Sequence, residues 1–101
     1  MIRFSAADDG KTVEVRNGTE FELVLAENPT TGFRWHVRQD PAPTVALAAD
    51  KLLPGHRPGQ PGTHVWRWRA QKPGAAEMGL VLGRAFGGGV ARTYRLRVQV
   101  R

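Results

Sequence analysis

Apolar and polar residues alternate along most of this chain with a period of two, the spacing that puts one face of a β-strand inward and the other outward. Thr12-Val13-Glu14-Val15 is a short stretch of this kind. Asn17-Gly18 follows it, a pair that favours a tight turn because both residues tolerate positive φ. Phe21, Leu23 and Leu25 then alternate with Glu20, Glu22 and Val24, and Trp35 and Val37 alternate with Arg34, His36 and Arg38. Trp66 and Trp68 share a face opposite Arg67 and Arg69. Ala76, Met78, Leu80 and Leu82 continue the pattern, and Tyr94, Leu96, Val98 and Val100 close it, with Arg95, Arg97, Gln99 and Arg101 facing solvent. Val45 to Leu53 is Ala-rich and gives no clean period; it reads as a strand plus a turn.

Turn residues separate these stretches: Asn28 to Gly32, Asp40-Pro41-Ala42-Pro43, the Pro- and Gly-rich Pro54 to Gly62, Pro73-Gly74, and Gly83 to Gly89. About seven short strands between such signals predict an all-β, immunoglobulin-like antiparallel β-sandwich. Phe21, Leu23, Trp35, Val37, Leu80, Leu96 and Val98 are its expected core. The 101 residues suit one domain, 1–101, and no repeat or linker divides them.

Charge is distributed unevenly. Residues 1–50 carry five Lys/Arg and eight Asp/Glu, whereas residues 51–101 carry ten Lys/Arg and one acid, Glu77. A basic half suits an acidic partner, and equally a solvated Arg-rich face. With no cysteine, disulfides and thiolate metal sites are excluded. No apolar run approaches the length of a membrane span, so no membrane insertion is expected. The first residues lack an apolar stretch of signal-peptide length. The expected location is therefore cytoplasmic if Met1 is the native start, and periplasmic or secreted if a signal peptide was removed.

The catalytic inventory is thin. The single serine, Ser5, sits near the N-terminus, far from a rigid frame that could hold a base and an orienting acid. His36, His56 and His64 lack the spacing of a metal site, so no metal or other cofactor is expected. Gly87-Gly88-Gly89 is followed by strand-like sequence, where a phosphate cradle would need a helix. Asp8-Asp9 reads as a solvated turn. No enzyme is expected.

Asn28-Pro29-Thr30-Thr31-Gly32-Phe33-Arg34-Trp35 stands apart. Pro29 fixes one φ and Gly32 permits a conformation closed to other residues, so the loop is shaped before it meets a partner. Thr30 and Thr31 place small hydroxyl side chains at its tip, and Phe33 and Trp35 return to one face as anchors. This segment resembles the signature loop of the chagasin family of cysteine-protease inhibitors: Asn-Pro-Thr-Thr-Gly, an aromatic, any residue, then Trp. Two further segments are similar to that family's other contact loops. Gly59-Gln60-Pro61-Gly62-Thr63, followed by Trp66, stands for a Gly-x-Gly-Gly element, with Pro61 in place of a glycine. Arg84-Ala85-Phe86 stands for Arg-Pro-aromatic, with Ala85 replacing the rigid proline. The resemblance runs from about Thr19 to the C-terminus.

The resemblance implies a reversible inhibitor of papain-like, cathepsin-like cysteine proteases that works without chemistry. The loop of Asn28, Pro29, Thr30, Thr31, Gly32 and Phe33 would occupy the catalytic cleft. Gly59, Gln60, Pro61, Gly62, Thr63, Arg84, Ala85 and Phe86 would grip the cleft walls, with Arg84, Phe86 and Trp66 as anchors. A preformed loop loses less entropy on docking. The protein would act as a monomer, with about 800 Å² buried on each partner. The competing reading is a basic β-sandwich module that holds nucleic acid, or another acidic partner, through the Arg-bearing last strand and the Trp strand.

Overall fold

The structure is a computed structural model, described for residues 1–84 and 88–101. The described residues form eight strands: β1 (Ile2–Phe4), β2 (Thr12–Val15), β3 (Glu20–Glu27), β4 (Phe33–Gln39), β5 (Val45–Leu53), β6 (Gly62–Ala70), β7 (Gly74–Arg84) and β8 (Val90–Val100). They build two four-stranded sheets, ordered β1-β3-β6-β5 and β2-β8-β7-β4. The expected all-β, immunoglobulin-like sandwich is therefore found, with one strand more than the alternation predicts. The extra strand is β1, three residues long and paired with β3 through Ile2↔Phe21 and Phe4↔Leu23. So short a run has no readable period, and its pairing is non-local.

Four of the strand pairs in this sandwich are antiparallel and two are parallel. β1 runs parallel to β3, and β2 runs parallel to β8. The N-terminal segment changes sheets between β1 and β2 through a one-turn 3₁₀ helix, Ala6–Asp8. Ser5 and Asp8 cap that turn reciprocally, and Asp9 Oδ1 accepts the Arg95 N–H at 2.9 Å. Asp8-Asp9 is thus a built corner, where the sequence suggested only a solvated turn.

Val45 to Leu53 is one strand. Leu47 pairs with Trp68 and Ala49 with Arg67, which leaves Ala48 as the extra residue of a bulge. The bulge shifts the alternation by one residue, so the sequence shows no single period there. After it, Asp50 stands opposite Trp66 and Leu52 opposite His64, both on the core-facing side of β6.

Between the sheets lie Phe21, Leu23, Leu25, Trp35, Trp66, Trp68, Met78, Leu80, Tyr94, Leu96, Val98 and Val100, all buried. Trp66 and Trp68 are each only 1% exposed. Burying an aromatic of this size contributes roughly 4–6 kcal/mol before entropy costs. Six of the seven expected core residues are buried, and Val37 is half-buried. Val37 lies on β4, an edge strand, beside the bulge between Val37 and Gln39.

Candidate functional site

β3 belongs to one sheet and β4 to the other, so the segment between them crosses the sandwich at one end. No ladder joins the two strands, and the crossing needs other bonds at its base. Glu27 and Trp35 supply them. The Trp35 backbone N–H donates to Glu27 Oε1 at 2.6 Å, and the indole Nε1–H donates to the Ala26 carbonyl at 3.0 Å. Above this clamp Pro29–Thr31 form a single 3₁₀ turn, with Pro29 pre-set for the first helical position. Asn28 Oδ1 accepts from the Thr30 N–H (3.1 Å) and the Thr30 hydroxyl (2.6 Å). Thr31 Oγ1 donates to the Asn28 carbonyl at 2.8 Å and accepts the Phe33 N–H at 3.3 Å. Gly32 ends the turn at φ 80°, in the left-handed region.

This loop is rigid by its own hydrogen bonds. Pro29, Thr30, Thr31 and Gly32 are all exposed at its tip. The Thr30 and Thr31 hydroxyls turn back onto Asn28 and are taken up in the loop's own bonds.

The register brings the other two segments to the same end. Glu27 pairs with Gly62 in one sheet, and Phe33 pairs with Arg84 in the other. The Arg84 guanidinium lies 4.5 Å from the centroid of the half-buried Phe33 ring. Gly62 and Thr63 are the first residues of β6 and not loop residues. Gly62 is buried, and a Cβ there would come within 2.5 Å of the Leu53 carbonyl oxygen, so a side chain is sterically excluded. The exposed part of this segment is Gly59, Gln60 and Pro61. Gly59 has φ 81°, and Gln60 folds onto Arg57 through Arg57 N–H to Oε1 (3.2 Å) and Gln60 N–H to the Arg57 carbonyl (3.1 Å). Of the third segment, Arg84 is exposed at the end of β7, whereas Ala85 and Phe86 lie outside the described residues. Trp66 is no surface anchor, because it is 1% exposed.

A cluster that sequence reasoning missed underlies these loops. Glu27 and His64 are buried, and His64 stands between Glu27 and Asp50. The signal was present: Glu27 continues the inward phase of Phe21, Leu23 and Leu25, and His64 that of Trp66 and Trp68. Two ionisable residues in core phase at the same end of neighbouring strands mark a buried polar site. Asp50 gave no signal, since the bulge at Ala48 conceals its phase.

Among the described residues the basic face offers no stacking platform for bases. Trp66 and Trp68 are buried, and several arginines are paired: Arg95 with Glu77 at 2.9 Å, Arg101 with Glu14, and both Arg3 (3.2 Å) and Arg67 (3.4 Å) with Glu22. Among the described residues no three His, Asp or Glu gather as a metal site, and no helix is long and apolar enough to cross a membrane.

Comparison with known proteins agrees with this geometry. A cysteine protease inhibitor of Entamoeba histolytica, EhICP2, superposes with a TM-score of 0.89 at 22% identity, covering 99% of this chain and 95% of that one. Amebosin gives 0.80 at 23% identity, over 99% and 97%. PbICP-C, solved in complex with falcipain-2, gives 0.70 at 17% identity, over 98% and 89%. At these identities the superpositions establish the fold. No curated protein sequence matches. The family described as chagasin family peptidase inhibitor I42 matches residues 14–99, from β2 to the last strand, and with the Asn28–Trp35 signature held at the crossing between the sheets this chain belongs to the chagasin family of peptidase inhibitors.

Proposed function

We propose that this protein is a reversible inhibitor of papain-like cysteine proteases, and that it blocks the cleft with the end of the sandwich carrying Asn28–Phe33, Gly59–Thr63 and Arg84. The carrying observation is the Asn28–Gly32 loop, exposed at the tip, closed by its own side chains and clamped at its base by Glu27 and Trp35. A loop in this state has little left to order on docking, so more of its contact energy appears as affinity. Family membership and the falcipain-2 complex of the structurally similar PbICP-C support the choice of partner. Inhibition requires no bond to form or break, and the chain has no cysteine to form a mixed disulfide.

The test is a titration of papain with the purified protein, followed with a fluorogenic peptide substrate. Competitive inhibition that dilution reverses, with the chain uncut by mass spectrometry afterwards, is the expected result. Absence of competition with substrate overturns the assignment.

A further inference from the structure

A buried cluster of three ionisable side chains lies beneath the docking surface. Glu27 has a fully buried side chain, that of His64 is 9% exposed, and that of Asp50 is half exposed. His64 Nδ1 is 3.1 Å from Glu27 Oε1 and its Nε2 is 2.5 Å from Asp50 Oδ1. The ring lies flat on Trp66, 3.8 Å between centroids and 7° from parallel, which fixes its plane. Arg34, on β4, also faces Glu27, with Nε 3.4 Å from Oε2. Burying such groups costs several kcal/mol per ion, and apolar side chains would fill the space more cheaply. The cluster therefore calls for a role other than packing.

Its connections suggest that role. Glu27 Oε1 is the same atom that accepts the Trp35 N–H at the base of the first loop. His64 is on β6, immediately after the Gly59–Thr63 segment. Asp50 is on β5 and is turned toward the ring by the Ala48 bulge. A ring held at both nitrogens fixes Glu27 in the position that accepts the Trp35 N–H, and without the Nδ1 bond Glu27 is free to leave it.

We propose that His64 is a positioning residue for protease docking: its ring, bonded through Nδ1 to Glu27 and through Nε2 to Asp50, locks the base of the Asn28–Gly32 loop to the strand carrying the Gly59–Thr63 segment. This rests on the inhibitor reading above. The ring bonded at both nitrogens holds the loops, and loss of its bond to Glu27 loosens them.

Two substitutions separate the ring's two bonds. His64→Asn leaves an amide nitrogen near the place of Nδ1 and keeps the bond to Glu27. His64→Gln reaches toward Asp50 and loses Glu27. Papain inhibition should weaken on the order of tenfold for His64→Gln and by less than about threefold for His64→Asn. Asp50→Asn, at a half-exposed position, keeps an acceptor opposite Nε2 and leaves the bond to Glu27 in place, so inhibition should stay within about threefold of the wild type. In the free protein, the Thr30 and Gly32 amide signals should shift in His64→Gln and stay near their wild-type positions in His64→Asn. Amide signals that ignore the loss of the Glu27 bond, or folded variants that all inhibit like the wild type, overturn the proposal. If the wild type fails to inhibit papain, the functional assignment falls, and the amide signals still decide whether the ring holds the loop.

Discussion

Arg84 stacks its guanidinium over the ring of Phe33, 4.5 Å from the centroid, and so ties the end of β7 to the first residue of β4. The contact joins two of the three segments at the docking end. A cation over an aromatic face at an exposed site contributes about 0.5–1 kcal/mol. Arg84→Ala should weaken papain inhibition roughly twofold to fivefold through this contact alone, and more if the guanidinium also reaches the protease. Arg84→Lys keeps the charge and should recover part of the loss. The thermal midpoint should barely move, because Arg84 is exposed. Inhibition constants and melting curves of the two variants check this.

Gly32 sits at φ 80° with open space where a Cβ would be. The cost of a side chain there is conformational and not steric, about 1–2 kcal/mol for an ordinary L-residue. Gly32→Ala should lose inhibition roughly fivefold to thirtyfold, since the strain is relieved by distorting an exposed loop. Gly32→Asn should lose less, because asparagine tolerates the left-handed region. Equal inhibition by both variants and the wild type would show that the conformation of the turn does not matter for docking.

How legible these features were depends on how local their causes are. Asn28 to Trp35 could be read because its shape comes from adjacent side chains: a proline at the start, a left-handed glycine at the end, and an asparagine and two threonines between. The inward phases of β3, β6, β7 and β8 were legible for the same reason. β1 and its parallel pairing were not, since Ile2↔Phe21 joins residues far apart in the chain. Asp50 was hidden by a single bulge residue, Ala48, whose presence follows from packing against β6. The partners of the Thr30 and Thr31 hydroxyls were not legible either. Inside a tight turn these groups find backbone and Asn28 partners before they find solvent.

Tyr94, the only tyrosine, is buried and donates its phenol hydrogen to the Ser5 carbonyl at 2.9 Å. Burial pushes its pKa well above the usual phenol value, and the negative charges of Asp8 and Asp9 add to the rise. The folded state therefore keeps this proton more tightly than the unfolded chain. Its contribution to stability is complete below the unfolded phenol's ordinary value and is lost as pH rises toward the folded one. Phenolate absorbance should stay absent in alkali until the protein unfolds, and then appear together with the unfolding signal. Tyr94→Phe should cost about 1 kcal/mol at neutral pH and remove this alkaline term. A phenolate that forms while the tryptophan fluorescence remains native would contradict this.

Thr31 allows the tip's shape to be separated from its internal bonding. Its hydroxyl holds both the Asn28 carbonyl and the Phe33 N–H, and the residue is exposed. Thr31→Val keeps the branched shape and the restricted χ1 but removes both bonds. Each such bond contributes about 1 kcal/mol, less where water can replace it, so the free loop should loosen and inhibition should weaken roughly threefold to thirtyfold. The core does not use this side chain, and the thermal midpoint should change little. Thr31→Trp acts differently: it adds bulk at the tip and should abolish inhibition by blocking entry to the cleft. Thr31→Ser keeps the hydroxyl and should stay close to wild type. These three variants distinguish two modes of binding. If the tip enters the cleft as a preformed turn, Ser is tolerated, Val is weakened and Trp is excluded. Inhibition by a folded Thr31→Trp protein at wild-type strength would mean that the tip lies outside the cleft and that affinity comes from the flanking segments instead.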